Sequence, residues 1–173
     1  MIPTVLYHGS QTDAIQTLEP RRRYTPGTEK DPPAGVYASD DPAFAAAHSF
    51  PWSSNEGVDL YFDRAEDDAS ECVVLEVPQE IVSRLDIPVH VYSVCSETFS
   101  LLDIPPQGHN YRSIAKVNCL AKSSFNTVKE AILHYRGKVI IKETCTALVL
   151  YESADTVLKR SLEHWRKYYE VVL

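Results

Sequence analysis

Two short segments gather residue types that can hold a flat, polar ligand. The first, Leu6-Tyr7-His8-Gly9-Ser10, offers an imidazole, a hydroxyl and a glycine. The second, Gly35-Val36-Tyr37-Ala38-Ser39, offers an aromatic plane and a second hydroxyl. Tyr37 can stack against a planar ring. Gly9 has no Cβ and lets a ligand come close to the backbone. Ser10 and Ser39 can donate hydrogen bonds. Between the segments lies Arg21-Arg22-Arg23, whose guanidinium groups suit phosphate oxygens, although such a run in a Pro/Gly loop is ordinarily solvated. Taken singly, each residue has an ordinary alternative: a satisfied histidine at a strand end, a tyrosine packed on a sheet.

Other chemistries find less in the sequence. There is no Gly-x-Ser-x-Gly elbow for a serine nucleophile, no GxGxxG and no GxxxxGK[ST]. Asp40-Asp41 and Asp67-Asp68 read as cap and loop acids. Cys72, Cys95, Cys119 and Cys145 are evenly spread without a CxxC, so they read as reduced thiols rather than a zinc site.

The elements around the two segments follow from local pattern. Thr4–His8 and Gly35–Ser39 are rich in β-formers and read as strands. Residues 19–34 hold four prolines among charges and read as a long binding or lid loop. After the second strand, Asp40 or Asp41 can cap a helix that begins near Pro42, runs through Ala43-Phe44-Ala45-Ala46-Ala47 and stops at Phe50-Pro51. Further strands are expected at Val58–Phe62, Cys72–Val77, His90–Val94, Tyr111–Cys119, Val139–Ile141 and Ala147–Tyr151. Pro78–Leu85 suits one or two helical turns. Asn126 can cap a helix to about Tyr135. Leu158, Leu162, Trp165, Tyr169 and Val172 keep helical spacing and predict a C-terminal helix whose stripe packs on the domain. Strands outnumber helices without alternating with them, so the fold class is α+β in a single domain over residues 1–173.

Bulk composition sets limits on partners. The formal charge of −7 speaks against generic attraction to nucleic acid or an anionic membrane. The start of the chain has no basic-then-apolar signal pattern, and no apolar run approaches a membrane span. A soluble, cytoplasmic protein with no membrane partner is the expectation.

In order, spacing and strand-then-helix context, the two segments resemble the ADP-ribosyltransferase superfamily, in its His-Tyr branch typified by poly-ADP-ribose polymerases and diphtheria toxin. The resemblance covers roughly residues 4–50. It implies a split antiparallel β-sheet core with flanking helices and the C-terminal helix. It also implies NAD as a substrate, without a metal, and transfer of ADP-ribose to a protein, nucleic acid or small molecule that the sequence does not identify. His8 would then donate to the adenosine ribose, Tyr37 would stack on nicotinamide, Gly9 would let the carboxamide reach the backbone, and Ser10, Ser39 and Arg22 would add polar contacts.

The family's third signature residue is a late glutamate that steadies the oxocarbenium-like ribose. The nearest match is Asn110-Tyr111-Arg112-Ser113, where Asn110 occupies the glutamate's place and brings no charge. Glu143 and Glu152 are the other candidates for the catalytic role. Two alternatives stay open. One is a non-catalytic module that binds NAD or ADP-ribose. The other is an enzyme resembling RNA 2′-phosphotransferases, against which the acidic balance counts.

Overall fold

The computed structural model describes residues 2–21, 34–53, 56–64, 71–102 and 109–143. Arg22, Glu152, Cys145, the Ala147–Tyr151 strand, the C-terminal helix and residues 22–33 of the long loop lie outside them.

The chain is a mixed α+β fold, and its strands are mostly antiparallel. Its elements run β1 (Val5–Ser10), β2 (Thr17–Leu18), β3 (Val36–Ala38), α1 (Pro42–Ala47), β4 (Asp59–Arg64), β5 (Glu71–Pro78), a 3-10 helix (Gln79–Asp86), β6 (Val89–Cys95), β7 (Phe99–Leu101), β8 (Tyr111–Ser113), β9 (Val117–Phe125), α2 (Val128–His134) and β10 (Lys138–Lys142). They form three sheets, in the orders β1-β6-β9-β2, β10-β5-β4 and β3-β8-β7. β10 lies parallel to β5, whereas the other strand pairs are antiparallel. Among the described residues, no helix is long and apolar enough to cross a membrane.

The first sheet is a partition between two cores. Leu6 and Val94 face one core with Leu18, Val36, Ala38, Phe99, Tyr111 and Val117. Val89 and Val91 face the other, built with Ala46, Ala47, Phe50, Leu75, Val77, Leu85 and the α2 residues Val128, Ala131 and Ile132. Alternation along β1 and β6 produces this, since successive side chains point to opposite faces of a strand. β5 is the nearly unbroken apolar run of the sequence, interrupted at Glu76, and Val73, Val74, Leu75 and Val77 are all buried.

One alternative that the sequence left open is resolved, and two sequence expectations are corrected. Asp41 alone caps α1, accepting the Phe44 N–H at 2.9 Å, while Asp40 is engaged elsewhere. The cap of α2 is Thr127 and not Asn126. Its hydroxyl accepts from Glu130 N–H at 2.9 Å, and the Glu130 carboxylate reaches back to Asn126 N–H at 2.9 Å. The single strand expected over Tyr111–Cys119 is two strands in different sheets. The Ser113 hydroxyl accepts the Ala115 N–H at 3.1 Å and turns the chain there, after which β9 continues to Phe125. Cys72, Cys95 and Cys119 are free thiols and half-buried.

Candidate functional site

Among the described residues, one isolated backbone bridge links the first and third sheets, which also share the core of Leu6, Val36, Ala38 and Val94. Tyr7 and Ser39 exchange both backbone hydrogen bonds, at 2.7 and 2.9 Å. Beyond this bridge β1 and β3 part. In a continued antiparallel ladder, the Tyr37 carbonyl would take the Gly9 N–H. It instead accepts from the His8 ring, with Nδ1 2.8 Å away. The imidazole thus sits in the split between the strands, at the junction of the two segments singled out by sequence.

This bond fixes what His8 offers. A carbonyl can only accept, so Nδ1 carries the proton. Burial lowers the pKa of His8, and the bond to Tyr37 only partly opposes it. The ring is therefore neutral near pH 7 and presents Nε2 as an acceptor. Nδ1 is thus committed to the Tyr37 carbonyl and is not the atom left to meet a ligand.

Gly9 has a reason that sequence reading missed. A Cβ there would lie 1.8 Å from the Ala45 carbonyl oxygen, so the glycine is what lets α1 rest on β1. Alternation from Tyr7 also aims the Gly9 N–H and C=O toward the split. The hydroxyls of Ser10 and Ser39 have local duties: they accept from the N–H groups of Thr12 and Asp41, at 3.0 and 3.1 Å. Ser39 is buried, which suits it to shaping the turn before α1.

Tyr37 is half-buried and lies on the face of β3 opposite Val36 and Ala38, which enter the core. Its direct partner across β8 is Arg112, whose other neighbour is Ser100 on β7. The Arg112 stem crosses Gly35, where a Cβ would meet its Cγ at 2.6 Å and its Cδ at 2.8 Å. Asn110 precedes β8 and continues the β7–β8 ladder, its carbonyl accepting from Leu102 N–H at 2.8 Å. Alternation assigns Asn110 to the face of Arg112 and Tyr37. A backbone bridge between Arg21 and Gly35, with bonds of 3.2 and 3.1 Å, brings Arg21 to the same edge.

Beside this face, His109 is clamped by two acids. Nδ1 is 2.8 Å from Asp40 Oδ1, Nε2 is 3.0 Å from Glu71 Oε2, and the ring stacks on Phe62 with centroids 4.0 Å apart. The Tyr111 hydroxyl bonds the second Asp40 oxygen at 3.2 Å. Burial depresses His109, but the bonds and charges of Asp40 and Glu71 outweigh it and leave its pKa raised. Both ring nitrogens are occupied, so this group is a clasp between elements rather than a proton shuttle.

The remaining candidate apart from those outside the described residues, Glu143, stands exposed just after β10, in the sheet that holds neither His8 nor Tyr37. The structure sets the His8 ring against the Tyr37 backbone, keeps Gly9 next to it, and puts Asn110 on the Tyr37 face together with Arg112, which sequence reading passed over inside the Asn110 motif. Two open hollows, of about 270 and 300 Å³, lie along the β1-β6-β9 sheet, and His8, Gly9 and Tyr37 line neither. Among the described residues, no group of histidine, cysteine, aspartate or glutamate is disposed to hold a metal ion. Comparison with protein-family models, curated proteins and solved structures gives no match.

Proposed function

We propose that this domain is an ADP-ribosyltransferase-like protein that binds NAD at the split between β1 and β3 and cleaves its nicotinamide–ribose bond. The observation that carries the reading is the bond from the His8 ring to the Tyr37 carbonyl where the two strands part. It joins the two signature residues in one place and leaves His8 Nε2 free to accept a ribose hydroxyl. Tyr37 supplies the stacking plane, and the Gly9 backbone suits the carboxamide.

In the reaction, the C–N bond breaks and its electron pair leaves with neutral nicotinamide. An acceptor nucleophile then bonds to the ribose carbon and loses its proton. The protein would contribute by positioning and by stabilising positive charge on the ribose. Asn110 lies on the Tyr37 face, and its amide dipole does this less strongly than a carboxylate. Slow turnover is the expectation.

A second reading has its own observation. With Asn110 in the glutamate's place and Glu143 in another sheet, the same site would hold NAD without cleaving it. One experiment separates the two: calorimetry with NAD alongside nicotinamide release, on wild type and on His8→Ala, Tyr37→Ala, Asn110→Ala and Glu143→Ala. Loss of affinity in the first two and loss of release in one of the last two supports the enzyme. Binding without release supports the module. Absence of binding at millimolar NAD defeats both.

A further inference from the structure

Three basic side chains are half-buried among those described: Arg84, Arg112 and Lys142. Two of them face carboxylates. Arg84 meets Glu56 with two nitrogens, each 3.0 Å from an oxygen, and Lys142 meets Glu76 at 2.8 Å as well as Asp59. Arg112 is the exception. Among the described residues its guanidinium has no ion pair, and its Nε is buried with no hydrogen-bond partner. A desolvated donor left unpaired is costly, more so when it carries charge. In a chain of formal charge −7, carboxylates are plentiful, and among the described residues none pairs with this one.

The backbone holds Arg112 where it is. Its cross-strand partners are Tyr37 and Ser100, and its stem runs over Gly35, where any side chain would collide with it. Gly35 and Tyr37 are two residues apart on the same face, about 7 Å along the strand. Arg21, paired with Gly35 through the backbone, adds a second cation at that edge.

We infer that Arg112 is an anion anchor on the Tyr37 face, taking the pyrophosphate oxygens of a dinucleotide whose ring stacks on Tyr37. The inference rests on the NAD reading above and assigns to it a phosphate subsite. A single ribose separates the nicotinamide ring from the first phosphate, which matches the spacing of Tyr37 and Gly35. A guanidinium fork suits two phosphate oxygens, and its buried Nε would gain the partner it lacks.

The test is calorimetry on the full chain with three probes: NAD, nicotinamide riboside, which has no phosphate, and inorganic pyrophosphate. Arg112→Gln should weaken NAD and pyrophosphate by about tenfold or more, as loss of a charge-assisted bond does, and leave nicotinamide riboside unchanged. Arg112→Lys keeps the charge and the stem and should still lose about fivefold toward pyrophosphate, because the fork is gone. It serves if the glutamine variant does not fold. Unchanged NAD and pyrophosphate affinity in either folded variant overturns the anchor while leaving the NAD reading intact. Arg112-dependent binding of pyrophosphate by a wild type that ignores NAD overturns the NAD reading and keeps the anion site. Equal losses for NAD and nicotinamide riboside overturn the anchor.

Discussion

His8 and His109 show how one residue type takes opposite roles under different surroundings. His8 donates to a carbonyl and is held neutral by burial. His109 gains two carboxylates, which raise its pKa. Their effects on stability run in opposite directions with pH. The folded pKa of His109 lies above its unfolded value near 6.5, so its contribution is complete below about pH 6.5 and fades as pH rises through the folded value. The folded pKa of His8 lies below it, so its cost appears as pH falls from about 6.5. Comparing wild type with His109→Gln cancels the His8 background. The gap in urea midpoint should be wide near pH 6 and shrink by about pH 9. A gap that stays constant would mean that the clamp of Asp40 and Glu71 holds a neutral ring.

At the scale of elements, caps decide where helices begin. Thr127 and Glu130 satisfy two backbone N–H groups at the start of α2, whose Val128, Ala131 and Ile132 are fully buried. Thr127→Ala should cost about 1 kcal/mol and lower the melting temperature by about 2–4 °C, read by circular dichroism. An unchanged melting temperature would mean that packing alone sets the helix start. The Thr-x-x-Glu spacing was visible in the sequence, yet Asn126 is an equally good cap by type, and only geometry separates neighbours. Strand positions were legible where apolar patterning was strong, as at Cys72–Val77. Their partners were not, because pairing depends on contacts remote in sequence: β10 joins β5 in parallel, and Tyr111–Cys119 divides between two sheets. The same limit applied to the site. His8, Gly9 and Tyr37 stood out by motif, whereas Arg112 matters only through its cross-strand neighbours, and the packing need for Gly9 comes from Ala45 of a helix some 36 residues on.

For the molecule as a whole, burial rather than surface charge carries stability. The pairs Lys116–Glu19 and Lys138–Asp63 are exposed at both ends, and such pairs contribute about 0–1 kcal/mol. The two cores divided by the β1-β6-β9 sheet account for the buried aliphatic residues on both of its sides. Asp40, Phe62, Glu71 and His109 come from segments far apart in the chain and meet at one clasp beside the candidate site.

The pairing of Arg21 with Gly35 has a consequence for how such a protein could diversify. It closes the intervening stretch into a ring whose ends are already fixed by the scaffold. The entropy of closing a ring grows only with the logarithm of its length, so doubling it costs about 0.6 kcal/mol. Replacing residues 22–33 with a glycine/serine stretch of twice that length should therefore barely move the urea midpoint while changing what the neighbouring face retains. Collapse of the midpoint would show that residues within the ring are part of the core. If the midpoint holds, lineages could lengthen, shorten or rewrite that ring and acquire new selectivity while the sheets are inherited unchanged.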